Sequence, residues 1–89
     1  MESQIQSKLI RKLHEQGYLV IKLIKTNTNG IPDLIIHRDG KTAYIEVKRP
    51  GEKPRDLQLY RMKQLKDHGI PTLTCTSVEE CLLKLQSII

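Results

Sequence analysis

The fold of this chain is decided by residues 30–48, GIPDLIIHRDGKTAYIEVK. Two apolar-rich runs, 33–38 and 41–48, lie on either side of the dipeptide Asp39-Gly40. An Asp-Gly connection between two such runs is a strong signal for a β-hairpin, because the favoured two-residue turn needs a positive φ at both positions. The sequence therefore predicts two antiparallel strands joined by a tight turn.

The turn also sets the register of this hairpin. If Asp39 and Gly40 form the turn, counting outward residue by residue places Asp33 opposite Glu46. Directly opposed residues have Cβ atoms about 4.5–5.5 Å apart on one face of the sheet. Lys48 lies two residues after Glu46 and therefore points to the same face. The hairpin thus predicts two carboxylates and one lysine side by side.

Two opposed carboxylates repel each other unless a positive charge lies between them. A divalent cation suits that position, since Mg²⁺ accepts one or two carboxylates and keeps water in its remaining positions. Such an ion lowers the pKa of a bound water and stabilises charge on a phosphate, while Lys48 could orient the water or neutralise the phosphate. The alternative is an ordinary surface hairpin on which Lys48 neutralises two acids, and a β-bulge would break the alignment.

Two polar residues on predicted helices also tend toward this site. Glu2 lies three residues before Ile5, the first residue of an apolar helical stripe, and so shares its inward face. The alternative is that Glu2 complements the positive end of the helix dipole. Gln58 lies four and seven residues before Met62 and Leu65, so it could hold an attacking water or a phosphate oxygen. The alternative there is a simple surface glutamine.

The remaining pattern predicts three helices and two further strands. Two helices are expected over about 2–16 and 55–67, and strands over 18–24 and 72–76. A third helix should begin after Ser77, which acts as its N-cap with Glu80 as the capping-box partner. The order α-β-β-β-α-β-α indicates an α/β fold with a mixed four-stranded sheet flanked by helices. The length of 89 residues is enough for one domain, 1–89, and too short for two.

The chain carries an excess of positive charge, with 15 Lys and Arg against 10 Asp and Glu and a net charge of +5. This excess favours a polyanionic partner, with nucleic acid as the first candidate and mere solubility as the alternative. Trp and Phe are absent, so few aromatic side chains could stack on nucleic-acid bases, and contacts to phosphates are expected instead. The basic residues expected to contact DNA are Lys25, Arg49, Lys53, Arg55 and Arg61.

The two cysteines, Cys75 and Cys81, both occupy positions of the apolar pattern. No secretory signal and no apolar run of transmembrane length is visible. These features predict buried, reduced thiols in a cytoplasmic protein without a membrane partner. The three histidines are scattered and give no zinc-site spacing, which leaves hard cations with oxygen ligands open.

Taken together, residues 30–33, Glu46-Val47-Lys48 and Gln58 resemble the PD-(D/E)XK nuclease superfamily, and within it the VRR-NUC branch. The resemblance covers nearly the whole chain, including the element order, and implies a restriction-endonuclease-like core. It implies that Asp33, Glu46 and the backbone carbonyl of Val47 bind Mg²⁺ or Mn²⁺. It also implies that Lys48 is the catalytic lysine, that Gln58 is the family's glutamine on the following helix, and that Glu2 is its acidic residue on the first helix.

The same resemblance implies a function. Short stand-alone members look like homodimeric, structure-selective DNA endonucleases, so we expect phosphodiester hydrolysis in branched DNA such as four-way (Holliday) junctions, in a bacterial or phage-infected cell. One alternative is a flap or single-strand-directed nuclease of the same fold, which the low aromatic content disfavours. Another is a non-catalytic DNA-binding module, which the presence of both acids and the lysine disfavours.

Overall fold

A computed structural model describes residues 4–89. The helices in this part of the chain are α1 (Gln4–Glu15), α2 (Asp56–Asp67) and α3 (Val78–Gln86), and the strands are β1 (Leu19–Lys22), β2 (Leu34–Arg38), β3 (Lys41–Val47) and β4 (Thr72–Cys75). The predicted α/β class and the order α-β-β-β-α-β-α are confirmed. No helix within residues 4–89 has the length and apolar character needed to cross a membrane.

The four strands form one mixed sheet in the order β1-β2-β3-β4. The pairs β1–β2 and β2–β3 are antiparallel, whereas β3 and β4 run parallel. Neighbouring side chains alternate between the two faces, so Val20, Ile36 and Ala43 share one face. All three belong to the buried core together with Leu9 of α1 and Leu85 of α3. The opposite face carries the residues of the predicted site.

The hairpin of β2 and β3 has the predicted turn and register. Asp39 and Gly40 both have positive φ, at 51° and 78°, as a type I′ turn requires. The pairing runs without interruption from Arg38 opposite Lys41 to Leu34 opposite Ile45. This is the register deduced from the turn, and continuing it by one residue sets Asp33 opposite Glu46.

The cap of α3 differs in one detail from the predicted capping box. The Ser77 hydroxyl accepts a hydrogen bond from the Glu80 N–H at 3.1 Å, as expected of an N-cap. The Glu80 carboxylate, however, accepts from the N–H of Thr76 at 2.6 Å rather than from that of Ser77. This backbone hydrogen bond is the main reason why the pKa of Glu80 is lowered. The box is thus displaced by one residue toward β4.

The two cysteines form a disulfide, Cys75–Cys81, so the prediction of two reduced thiols is wrong. Cys75 ends β4 and Cys81 lies in the first half of α3, which folds back onto that strand. Their Cα atoms are 5.4 Å apart, well inside the range that a disulfide spans. Both residues are buried, as their place in the apolar pattern predicted.

Candidate active site

The predicted site residues meet at one edge of the sheet. β1, β3 and β4 all end at this edge, and β2 begins there. The N–H of Leu23 donates to the carbonyl of Asp33 at 2.8 Å, and the N–H of Lys48 donates to the carbonyl of Cys75 at 2.9 Å. Backbone hydrogen bonds from both neighbouring strands therefore hold Asp33 and Lys48 in place.

The carboxylate of Asp33 is fixed at the end of β3. Its Oδ2 accepts a hydrogen bond from the N–H of Val47 at 3.1 Å. Because Val47 directly follows Glu46, this bond keeps the side chain of Asp33 beside that of Glu46. The structure thus brings together the two carboxylates that the hairpin register paired.

Glu46 lies at the centre of a buried polar cluster and is only 2% exposed. Its Oε2 lies 3.0 Å from Nζ of Lys48 and accepts a second hydrogen bond from Nε2 of Gln58, also at 3.0 Å. Its other oxygen, Oε1, is buried and accepts no hydrogen bond from any of residues 4–89. A buried carboxylate oxygen without a partner is energetically costly, so this atom is where a cation or a donor is needed.

The charge state of Glu46 reflects this environment. Burial raises the pKa of its carboxyl group above the ordinary value, and the nearby charge of Asp33 acts in the same direction. The hydrogen bond and charge of Lys48 and, more weakly, the backbone N–H of Asp33 lower the pKa but do not cancel the rise. The ionised form of Glu46 is therefore disfavoured unless a further positive charge approaches it.

Gln58 aims into the site, as its helical spacing predicted. Its carbonyl Oε1 accepts from the N–H of Arg55 at 2.9 Å, at the start of α2, while its amide group donates to Glu46. Both ends of the side chain are thus used by protein groups. In this arrangement Gln58 orients Glu46.

The cluster lines a cleft of about 340 Å³. Besides Asp33, Glu46, Val47, Lys48 and Gln58, its walls include Gln6, Arg49 and Glu52. Gln6 was missed by sequence reasoning although it is only 7% exposed. The available signal was its spacing of three and seven residues before Leu9 and Leu13, the other buried residues of α1. Glu2, the acidic residue predicted on this helix, lies outside the described residues.

Asp33 and Glu46 could together hold a divalent cation. Their oxygens are the hard ligands that Mg²⁺ prefers, and the buried Glu46 Oε1 is suited to such a contact. Within residues 4–89, no three or more His, Cys, Asp or Glu side chains converge on one point. This part of the chain would therefore supply two carboxylates and leave the other positions to water, substrate and the Val47 carbonyl.

Four of the five basic residues predicted to bind DNA are exposed on two loops at the same sheet edge. Lys25 lies on the loop between β1 and β2, and Arg49, Lys53 and Arg55 lie between β3 and the first turn of α2. The fifth, Arg61, is engaged within the protein. Its Nε donates to the carbonyl of Asn29 at 2.8 Å, and its guanidinium group lies 5.3 Å from the ring centre of Tyr60.

The loop before Asp33 is packed against α2 through a glycine. Gly30 has φ of +86°, and a Cβ atom there would approach Cγ of Leu57 to 2.7 Å. Only glycine allows both this backbone conformation and this contact. The close packing and the Arg61–Asn29 bond together fix the loop that leads into the site.

The fold and the cleft define a class: a restriction-endonuclease-like α/β domain with an acid-acid-lysine cluster at the end of a β-hairpin. Residues 1–79 match the family model of the VRR-NUC domain, and the chain belongs to this family. The resemblance noted from the sequence is thereby confirmed.

The chain is also similar to individual proteins. A solved structure described as a VRR_NUC domain superposes with a TM-score of 0.84, covering 97% of this chain and 95% of its own, at 23% identity. A protein named "Putative nuclease p44", from Acyrthosiphon pisum secondary endosymbiont phage 1, is 34% identical over 59 residues. That alignment spans 65% of this chain and 63% of the phage protein.

Proposed function

We propose that this protein is a metal-dependent DNA endonuclease in which Asp33 and Glu46 hold Mg²⁺ or Mn²⁺. The observation that carries the proposal is the buried Glu46 Oε1, which accepts no hydrogen bond from residues 4–89 although it lies beside a second carboxylate. A protein that only bound DNA would gain nothing from two carboxylates facing a phosphate. Membership of the VRR-NUC family and the name of the phage relative point the same way.

Each residue of the cluster has a distinct role in this proposal. The bound metal ion would lower the pKa of a water ligand and stabilise negative charge on the phosphate. Lys48 has three donor hydrogens and is held 3.0 Å from Glu46, so it can direct another hydrogen at a phosphate oxygen or at the attacking water. Gln58 keeps Glu46 in position, and the Val47 carbonyl is the further ligand that the family pattern implies.

The substrate we propose is DNA bound through its phosphates. Lys25, Arg49, Lys53 and Arg55 flank the cleft on two loops, and the net charge of the chain is +5. Contacts of this kind position the backbone without reading bases. Cleavage should accordingly show little sequence preference and should weaken steeply with rising salt.

We further propose that the protein acts as a homodimer on branched DNA, with four-way junctions as the preferred substrate. A two-fold dimer presents two equivalent sites to two equivalent strands. Leu19 and Ile21 are 55% and 43% exposed on the sheet face opposite α1 and α3, and they supply apolar surface for such contact. Sedimentation of Ile21→Lys tests this, with Leu83→Lys as control because Leu83 is 72% exposed on α3.

The decisive experiment offers labelled duplex, flap, fork and four-way junction DNA to the purified protein with Mg²⁺, Mn²⁺ or EDTA. We expect metal-dependent, symmetric cuts near the junction centre. Lys48→Ala should abolish cleavage, whereas Lys41→Ala removes the same charge at the far end of the hairpin and should retain it. Absence of cleavage on every substrate in both metals would refute the enzyme proposal. Preference for flaps or single strands would leave a nuclease and refute only the junction assignment.

A further inference from the structure

We propose that Ile24 is the residue by which the protein recognises a DNA branch, its side chain packing against the face of a base pair that the branch leaves unstacked. This inference rests on the branched-DNA substrate of the proposed function, but not on the hydrolysis of that DNA. It adds a contact to bases, whereas the basic residues of the two loops are assigned to phosphates.

The side chain of Ile24 is 87% exposed, which makes it the most exposed large apolar residue in the described range 4–89. A single exposed apolar residue is common on protein surfaces, so the assignment depends on where Ile24 lies. Leu83, 72% exposed on α3, lies on an element that supplies no residue to the active-site cleft. Ile24, in contrast, lies beside that site.

Ile24 follows the last backbone contact of β1 at the active-site edge of the sheet. The N–H of Leu23 donates to the carbonyl of Asp33 at 2.8 Å, so Ile24 is one residue, about 3.8 Å of backbone, beyond this pair. The next residue, Lys25, is exposed, and both Ile24 and Lys25 border an open cavity of about 250 Å³. An apolar side chain beside a cation matches what meets at a branch, an uncovered base pair and the phosphates of the strand that leaves it.

The loop that carries Ile24 is braced by contacts within the protein. The hydroxyl of Thr26 accepts a hydrogen bond from the N–H of Thr28 at 3.2 Å and donates one to the carbonyl of the same residue. Farther along the loop, the carbonyl of Asn29 accepts from Arg61. A braced loop loses less conformational entropy when it binds, so more of the free energy of the Ile24 contact is retained.

An aliphatic side chain suits a contact that distinguishes a branch from a duplex. Proteins that kink or open DNA commonly insert residues such as isoleucine or leucine between neighbouring base pairs, and separating the two pairs costs free energy. At a branch, the stacking of neighbouring pairs is already interrupted. The same side chain can therefore cover a base there without that cost, and the contact favours branched DNA over duplex.

The test compares Ile24→Ser, the conservative change Ile24→Leu and the control Leu83→Ser. Binding to a labelled four-way junction and to a linear duplex of the same sequence is measured by titration in EDTA, so that metal-dependent cleavage does not interfere. We expect Ile24→Ser to bind the junction at least about fivefold more weakly and the duplex within about twofold of wild type. Ile24→Leu and Leu83→Ser should bind both DNAs as wild type does.

A change in the DNA separates a base contact from a general loss of affinity. A junction with abasic sites at the branch point lacks the faces that Ile24 is proposed to cover. On this DNA, wild type and Ile24→Ser should bind within about twofold of each other, because the partner of the side chain is gone. An equal defect of Ile24→Ser on intact and abasic junctions would overturn the base contact.

Three further results would overturn the assignment: equal affinity of Ile24→Ser and wild type for the junction, an equal loss on junction and duplex, or wild-type protein that binds the junction no more tightly than the duplex. A change in the sedimentation of Ile24→Ser would also overturn it, in favour of a contact between copies of this chain. Protein that prefers junctions but cuts none would refute the nuclease proposal, while the binding results would still decide this one.

Discussion

The ammonium nitrogen of Lys48 lies 3.0 Å from Oε2 of Glu46, and both side chains are buried. Each charge of such a buried pair stabilises the other, because removing one member leaves the remaining charge buried without a partner. The contact also joins the residue proposed to bind the metal to the residue proposed to act on the phosphate. Changes to either residue should therefore affect stability as well as catalysis.

Lys48→Met should destabilise the metal-free protein. Breaking a buried ion pair by removing one partner costs about 3–5 kcal/mol, less whatever is recovered when Glu46 takes up a proton. Urea unfolding in EDTA at neutral pH measures this loss, and Lys41→Met at the exposed turn is the control. The double variant Glu46→Gln/Lys48→Met should regain most of the stability, because neither charge remains. Unchanged stability of Lys48→Met would show that the pair does not support the fold.

The pH dependence of stability should follow the raised pKa of Glu46. A carboxyl group whose folded pKa lies above its unfolded value stabilises the protein most below the unfolded pKa and loses that contribution as pH rises through the folded pKa. The ordinary value for Glu46 is 4.5, and burial raises it. Metal-free wild-type protein should therefore lose stability relative to Glu46→Gln as the pH increases above this value. Melting curves in EDTA across that range provide the measurement.

Mg²⁺ should reverse this trend in the wild-type protein. The metal needs the ionised carboxylate, so binding must displace the proton that burial favours. The rise in melting temperature caused by Mg²⁺ should accordingly grow as the pH increases above 4.5, the ordinary value for this carboxyl group, and be nearly absent in Glu46→Gln. A stabilisation by Mg²⁺ that is equal in both proteins at every pH would place the ion elsewhere.

The position of the acids and the lysine could be predicted because a local signal determines it. Asp39-Gly40 favours one tight two-residue turn, and that turn fixes which residues of the two strands lie opposite each other, including Asp33 and Glu46. No contact with the rest of the chain is needed to deduce this. The helical spacing of Gln58 was a second local signal, which predicted an inward side chain. The structure places this side chain in the cleft, where its amide donates to Glu46, a partner that the spacing did not specify.

What could not be predicted depends on how separate elements pack. The spacing of Gln6 marks it as inward, but its place in the cleft depends on how α1 packs on the sheet, which no local pattern specifies. Arg61 donates a hydrogen bond to the carbonyl of Asn29, 32 positions earlier in the chain, and no local pattern indicates this contact. The apolar pattern predicts two buried cysteines but not the distance between them, because that distance depends on how α3 folds back onto β4.

The Cys75–Cys81 disulfide should contribute to stability. It closes a loop between residues six positions apart, and the chain-entropy estimate for so short a loop is about 2 kcal/mol. Adding dithiothreitol should lower the unfolding free energy by about this amount, and should have no effect on the Cys75→Ala/Cys81→Ala variant. Denatured but unreduced protein should take up no iodoacetamide by mass spectrometry. Labelling of both cysteines would show that the thiols are free in the purified protein.

Gly30→Ala should destabilise the protein more than Gly69→Ala. Both glycines have positive φ, +86° and +79°, so an alanine at either position carries a backbone strain of about 1–2 kcal/mol. At Gly69 nothing lies within 4 Å of the new Cβ atom, whereas at Gly30 it would meet Cγ of Leu57 at 2.7 Å. The difference between the two variants in urea unfolding therefore measures the contact with Leu57. Equal losses would mean that Leu57 moves away freely.

A double-mutant cycle isolates that contact. Gly30→Ala/Leu57→Ala should be less destabilised than the sum of the two single changes, because shortening Leu57 removes the contact with Cγ at 2.7 Å. The strain at φ +86° and the approach to the carbonyl oxygen of Leu57 at 3.2 Å remain. Gly69→Ala/Leu57→Ala should be additive, since those two sites share no contact.

The same variants should also differ in the rate at which they cleave DNA. Gly30 lies three residues before Asp33, so displacing this loop should reduce DNA cleavage in Gly30→Ala, with partial recovery in the double variant, while Gly69→Ala cuts as wild type does.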